Sequence, residues 1–297
     1  MDAALLSIAA RIEKISKNYT HLNPVSTGFE NLDIALNGGF ANGNLYFLLG
    51  RPDVGKTAFI TSLLANITRR NESACKIGVI SLGITPEEFF TRILSNITDV
   101  SVKKIQCGNL ETNEIATLSD NKFLQKLSNI HISSYGVENI DRLINMCKEF
   151  AWRHKAGIIF IEDLYNIDYK YSTCDEIGAV ILALKKLAVE LEIPIIISVK
   201  LEYYRGEDNN MPTLKDWKDA LIIEQFSDVV MILHQAHSSV SITEESTSLK
   251  KCDAFINIVK NNAGKLNAIT FKAFLHVQRF EDALLLKHNN FNANTSF

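Results

Sequence analysis

The chain has 297 residues, of which 46% are hydrophobic, and this size predicts one domain with one substantial core. Its 31 basic and 34 acidic residues give a formal net charge of -3, which excludes strong non-specific attraction of the whole chain to nucleic-acid phosphates. The five cysteines are widely spaced, and no stretch approaches the roughly 20 apolar residues of a membrane helix. We therefore predict a cytoplasmic protein with reduced thiols and no membrane span.

The first 20 residues carry a short apolar repeat ahead of the main body of the chain. Its apolar residues recur at helical spacing and are Leu5, Ile8, Ile12 and Ile15. The spacing predicts an amphipathic helix, which either lies on its own domain or docks on a neighbouring subunit. We predict three parts: this helix in residues 1–20, one domain over 21–285 and a frayed tail over 286–297.

From Leu45 onward, short apolar runs alternate with amphipathic stretches, which is the rhythm of βαβ units. The runs are LYFLL, KIGVISL, NIHIS, GIIFIE and PIIISV, and helices are predicted after Lys56, from Pro86, over 137–154 and over 176–191. Such continuous apolar runs suit parallel strands that are covered on both faces. After Trp217, the β-rich runs DVVMIL, AFINIV and AITFKAF predict antiparallel additions at the end of the sheet.

Residues 50–57 read GRPDVGKT, a G-x-x-x-x-G-K-[ST] motif between an apolar run and a helical stretch. Backbone N–H groups of such a turn wrap phosphates, and the positive end of the following helix points at them. Lys56 is expected to reach the β- and γ-phosphates, and Thr57 to supply a hydroxyl ligand for Mg²⁺. The sequence therefore predicts an ATP–Mg²⁺ site. Its expected nucleotide-binding residues are Gly50, Arg51, Pro52, Asp53, Val54, Gly55, Lys56, Thr57 and Ala58.

A carboxylate for the magnesium site is predicted at the end of the run GIIFIED. Four apolar residues there precede Glu162 and Asp163, so both acids would lie at the carboxyl end of a buried strand. The pattern resembles a Walker B segment. Glu162 is the first choice as the acid that acts with Thr57 on the metal, and Asp163 is the second.

Segments in a distinctive order run from Ser26 to Asp282: STGFENLD, GRPDVGKT, SLGITPEEFFTRIL, GIIFIEDLYNI, LKKLAVELEIPIIIS, DWKDALIIEQFSDVVMIL and IVKNNAG. Together they resemble the carboxyl-terminal ATPase domain of DnaB-type replicative helicases, without the amino-terminal domain of that family. The resemblance implies an α/β fold of the RecA-like P-loop NTPase type. Its sheet would be mainly parallel with helices on both faces and antiparallel strands at the carboxyl-terminal end.

The resemblance also implies partners. Family members form hexameric rings that bind ATP at subunit interfaces, encircle single-stranded DNA and move along it. A homo-oligomer is therefore expected, together with single-stranded DNA and a helicase, primase or loader protein as partners. Residues 1–20 would take the place of the family's linker helix, which packs on the adjacent subunit, and both readings of that helix remain open.

Three departures from the family pattern fall on its chemistry. Gly83 stands where the family has a catalytic glutamate, and Val199 stands where a glutamine senses the γ-phosphate. Asn262 occupies the position of the arginine finger that acts on the neighbouring subunit's site. An arginine finger is worth about 10³ to 10⁵ in rate and a general base about 10² to 10⁴, so impaired hydrolysis is expected.

Substitutes for the missing groups are available in the sequence. The resemblance aligns Glu162 with the family's Walker B aspartate, and Asp163 could act as a base, as could Glu87 or Glu88. Lys260 is the remaining cation of the trans-acting segment. The catalytic candidates are therefore Glu162, Asp163 and Lys260.

Three functions remain open at this point. The first is an ATP-dependent DnaB-like helicase, and the second is a catalytically weakened relative that assembles with or regulates a helicase. The third is a RecA- or KaiC-like ATPase with other partners, because the shared core does not identify the ligand in the channel. The predicted channel loop sets Arg205 and Lys215 against four acidic residues, which is a weak phosphate grip and favours a solvated surface.

Overall fold

A computed structural model describes residues 24–70, 75–134, 137, 139–166, 174–200, 213–214, 219–235 and 251–283. The predicted amino-terminal helix, the tail, Arg205 and Lys215 lie outside these residues. Within them, no helix is long and apolar enough to cross a membrane.

The described chain alternates helices and strands through its first part and ends in strands. The helices are α1 (Glu30–Ala35), α2 (Lys56–Arg70), α3 (Pro86–Thr98), α4 (Val102–Cys107), α5 (Thr112–Leu118), α6 (Asn121–Leu127), α7 (Ile140–Trp152), α8 (Cys174–Leu191) and α9 (Ala220–Phe226). The strands are β1 (Leu45–Gly50), β2 (Lys76–Ser81), β3 (Ile130–Ser133), β4 (Ala156–Glu162), β5 (Ile195–Lys200), β6 (Val229–Gln235), β7 (Lys251–Asn261), β8 (Asn267–Phe274) and β9 (Arg279–Asp282).

The described strands form a single sheet in the order β3-β2-β4-β5-β1-β6-β7-β8-β9. Strands β1 to β6 pair in parallel, whereas β6 to β9 pair in antiparallel fashion. This confirms the predicted mainly parallel sheet with antiparallel additions at its carboxyl-terminal end. Because β1 is central, the loop that follows it opens at the carboxyl edge of the parallel strands, where ligands bind in such sheets.

The two faces of the sheet bury separate apolar clusters. In β1, Tyr46 and Leu48 belong to the cluster that contains side chains of α2 and α3. Phe47 and Leu49 belong to the cluster that contains side chains of α7 and α8. All six residues of β1 are buried, as expected for a parallel strand with helices on both sides.

Several short elements were not predicted from the sequence pattern, among them α4, α5, α6 and β9. Neither α4 nor α5 buries a residue, so neither helix has an apolar face for periodicity to detect. Strand β9 has four residues and follows β8 after a single 3-10 turn, Leu275–Val277. The pairing of Phe280 with Ala273 and of Arg279 with Phe274 fixes its place at the edge of the sheet.

Candidate nucleotide-binding site

The turn between β1 and α2 has the backbone shape of a phosphate-binding loop. Asp53 and Gly55 have positive φ angles of 60° and 93°, and α2 begins at Lys56. A Cβ atom at Gly50 would lie 2.7 Å from Val54 Cγ1, so the loop can close only around a glycine at that position. The loop thus leads from a buried strand into the positive end of a helix of 15 residues.

The Lys56 side chain folds back over this loop. Its Nζ donates hydrogen bonds of 2.8 Å to the carbonyl oxygens of Gly50 and Arg51. Burial lowers the pKa of Lys56 to about 8, with Asp163 acting in the opposite direction. An anion in the loop would add negative charge beside this buried ammonium.

Thr57 and Glu162, the predicted metal-site pair, lie in direct contact. The Thr57 hydroxyl donates to Glu162 Oε1 at 2.7 Å, which joins the first turn of α2 to the end of β4. Glu162 is only 6% exposed. Burial raises the pKa of its carboxyl group, and the hydrogen bond from Thr57 partly offsets this effect.

Asp163, the second predicted carboxylate, begins the turn after β4. Its φ angle is 62°, and its N–H donates to Ser198 Oγ at the end of β5 over 3.0 Å. One carboxylate oxygen, Oδ2, accepts from Asn166 Nδ2 at 2.9 Å. The other, Oδ1, is buried without a hydrogen-bond partner among the described residues.

These oxygen atoms suit a hard divalent cation. Mg²⁺ takes oxygen ligands and is held in nucleotide sites by one or two carboxylates together with phosphates. The Thr57 hydroxyl and the Glu162 carboxylate would hold it, and the unpaired Asp163 Oδ1 is a further acceptor close by. The donor set therefore fits the predicted metal.

Gly83 lies against the Glu162 carboxylate. A Cβ atom built at Gly83 would be 3.2 Å from Glu162 Oε2 and 3.4 Å from Asn166 Nδ2. The longer side chain of Glu162 therefore reaches the space from which a glutamate at position 83 would start. Glu87 is exposed, and Glu88 forms an ion pair of 2.8 Å with Arg92.

A cleft of about 310 Å³ opens over the loop and the strand ends. Most of the predicted nucleotide-binding residues line it, although Gly50, Arg51 and the buried Val54 do not. Several residues that line the cleft were not predicted from the sequence. The lining residues are Pro52, Asp53, Gly55, Lys56, Thr57, Ala58, Arg92, Glu162, Asp163, Ser198, Lys200, Leu275 and Gln278.

Two of the missed residues had a signal in the sequence. Arg92 follows Glu88 by one helical turn, which is the spacing of an ion pair, and its Nη1 also donates to Gln278 Oε1 at 2.9 Å. Lys200 is a charge directly after the apolar run PIIISV. No sequence pattern indicated Gln278, because only the folding of the carboxyl-terminal strands brings it to the cleft.

A family model described as "DnaB-like helicase C terminal domain" matches residues 24–282. The chain belongs to this family. Among curated relatives, a probable plasmid replicative DNA helicase of Chlamydia muridarum is 29% identical over 245 residues, which are 80% of this chain and 53% of that protein. The chain spans about half the length of the curated relatives that it matches.

Solved structures share the fold of this chain. One, described as an ATPase domain, superposes with a TM-score of 0.78 at 19% identity, covering 95% of this chain and all of that one. A DnaB-like replicative helicase, described together with its interactions with primase, gives 0.75 at 20% identity and covers 95% of this chain and 67% of that one. The DnaB-like family and the RecA-like fold agree with the predictions from sequence.

The segment expected to act on a neighbouring subunit lies at the opposite end of the parallel strands from the cleft of its own chain. Lys260 pairs with Val230 near the amino end of β6, and its Nζ donates to the carbonyl oxygens of Ser227 and Glu224. Asn262 is exposed, and its N–H donates to Asp228 O at 3.0 Å. Glu162 and Asp163 are therefore brought to the phosphate loop, whereas Lys260 is not.

Proposed function

We propose that this chain is the ATP-driven motor of a DnaB-like helicase, which binds ATP with Mg²⁺ in the cleft and moves along single-stranded DNA during replication. The observation that carries this proposal is the Thr57–Glu162 hydrogen bond. It places a buried carboxylate beside the first turn of the helix that follows an intact phosphate loop.

The proposed roles follow from position. The loop N–H groups wrap the phosphates, and Lys56 exchanges its two carbonyl acceptors for phosphate oxygens. Thr57 and Glu162 would hold Mg²⁺, which would supply positive charge to offset that of the phosphates. Asp163 is the carboxylate available to orient the attacking water, because Gly83 has no side chain for this task.

Turnover is proposed to be slow compared with that of a complete family site. Gly83 cannot act as a base, the Val199 side chain is fully buried, and Asn262 has no charge for the neighbouring site. This feature supports the second candidate, a weakened relative that binds ATP and assembles with or regulates a helicase. Binding and hydrolysis therefore have to be measured separately.

Partners are proposed by analogy with the family. The described DnaB-like neighbour interacts with primase, and we extend this partner, single-stranded DNA and a hexameric ring to the present chain. A cytoplasmic location is part of the same proposal. Light scattering with ATP and Mg²⁺ tests self-association, which a monomer at high concentration would contradict.

The central test combines nucleotide titration with an ATPase assay, with and without single-stranded DNA. Lys56→Ala should weaken ATP binding at least about tenfold, because a charged donor to the phosphates is lost. Equal affinity in the wild type and this variant would overturn the proposed site. Turnover that DNA stimulates supports the helicase, whereas tight binding with no stimulated turnover supports the assembly or regulatory role.

A further inference from the structure

The last three residues of β5 alternate between the cleft and the core. Ser198 lines the cleft and accepts the hydrogen bond from Asp163 N–H. Val199, at the position of the family's sensor glutamine, has no exposed surface and packs in the cluster beneath α7 and α8. Lys200 then returns to the cleft and is exposed there. Because side chains alternate along a strand, the cation Lys200 reaches the cleft one residue after the position at which the family has its sensor glutamine.

Lys200 is close to the centre of the phosphate site. It pairs in parallel register with Gly50, the first residue of the loop. Its charge also contributes to lowering the pKa of Lys56, after the larger effect of burial and a countering effect of Asp163. The two ammonium groups therefore share one anion-binding space.

The other cations of the cleft already have acceptors. Lys56 bonds to two loop carbonyls, and Arg92 bonds to Glu88 and Gln278. By contrast, the side chain of Lys200 forms neither an ion pair nor a hydrogen bond with any of the described residues. It is thus the cleft cation with no protein acceptor within the described part of the chain.

We propose that Lys200 contacts the terminal phosphate of a bound nucleoside triphosphate and replaces the family's sensor glutamine. This inference rests on the proposed function, because it needs a nucleotide in the loop. The phosphate loop holds the inner phosphates and Lys56 reaches the β- and γ-phosphates, so the terminal phosphate projects toward the ends of β4 and β5, where Lys200 lines the cleft. An ammonium at that place distinguishes a triphosphate from a diphosphate by one charge-assisted contact.

The test compares the affinities for Mg²⁺·AMP-PNP and Mg²⁺·ADP in the wild type and in Lys200→Met. The variant should bind AMP-PNP about tenfold or more weakly while its ADP affinity changes less than about twofold. Lys200→Arg, which keeps a cation, should retain most of the preference for the triphosphate. A matched control is Lys186→Met, which removes an exposed lysine near the end of α8, close to the amino edge of the sheet.

The outcomes separate this inference from the proposed function. If Lys200→Met lowers both affinities equally, or neither, the terminal-phosphate contact is wrong even though the nucleotide site stands. If Lys56→Ala leaves both affinities unchanged, the nucleotide site itself is wrong. Melting temperatures of the variants without nucleotide identify any loss that arises from unfolding.

Discussion

At the scale of single residues, Gly83 and Glu162 are best understood as a compensating pair. The family pattern has a glutamate at the first position and an aspartate at the second, whereas this chain has no side chain at one and a longer acid at the other. Glu162 Oε2 lies 3.2 Å from where a Cβ at Gly83 would be. The Glu162 carboxylate thus lies beside the point from which a side chain at position 83 would extend.

We expect Gly83→Glu to raise turnover only when it is combined with Glu162→Asp. Alone, the added side chain meets the Glu162 carboxylate at less than ordinary contact distance and places two acids together. The double variant shortens Glu162 and makes room for the new base, so DNA-stimulated ATP turnover should rise at least about tenfold. Equal turnover in the single and double variants would show that the two positions are independent.

The residue types of the candidate site could therefore largely be read from the sequence, but their spatial arrangement could not. The motif located Lys56 and Thr57, and the acidic end of an apolar run located Glu162. The contact between Gly83 and Glu162 crosses from β2 to β4, and the approach of Lys200 to Gly50 crosses from β5 to β1. Both depend on sheet register, which local pattern does not specify.

At the scale of elements, a buried polar cluster joins β9 and its preceding turn to α2 and α3. Asn96 Nδ2 donates to Gln278 O at 2.6 Å and to Ser62 Oγ at 3.0 Å. Ser62 Oγ also accepts from Phe280 N–H at 2.8 Å. The side chain of Gln278 reaches the nucleotide cleft, so this cluster fixes one of its walls.

Asn96→Ala should lower the free energy of unfolding by about 2 kcal/mol, because two buried hydrogen bonds are lost and their acceptors are left without this donor. Urea denaturation at constant m-value measures the change. Asn109→Ala, at an exposed position after α4, is the control and should change stability by less than about 0.5 kcal/mol. A smaller loss for Asn96→Ala than for the control would mean that the cluster contributes nothing to stability.

Strands and helices with a clear apolar pattern in the sequence were predictable, whereas short polar elements were not. The burial of β1, β4 and β5 on both faces makes them continuous apolar runs in the sequence. In contrast, the predicted helix over 137–154 is shorter in the structure, Ile140–Trp152, because Asn139 caps its start through Arg142 N–H.

At the scale of the whole molecule, the cleft and the turn that carries Asn262 lie at opposite ends of the parallel strands. The cleft lies at the carboxyl ends of β1, β4 and β5. Asn262 follows Asn261, which pairs with Val229 at the amino end of β6. A residue at position 262 can therefore act on a nucleotide only in another subunit.

This separation predicts complementation between subunits. A chain with Lys56→Ala and Asn262→Arg binds ATP only weakly itself but offers an arginine to a neighbour. Mixed with the wild type, it should raise turnover per intact site about tenfold or more, since a finger in trans stabilises transition-state charge. The control mixture contains Lys56→Ala with Asn262 unchanged. Turnover equal to the weighted sum of the separate proteins would argue against a shared site.

The turn between β7 and β8, which carries Asn262, is hydrogen-bonded to the region around α1. Asn261 Nδ2 donates to Ala35 O at 2.9 Å, and Asn37 Nδ2 donates to Ala263 O. A Cβ at Gly264 would lie 2.5 Å from Ala35 O, so the backbone approaches α1 as closely as a glycine permits. These contacts hold the turn rigidly against α1. We therefore expect a force applied at this turn to displace α1 together with it.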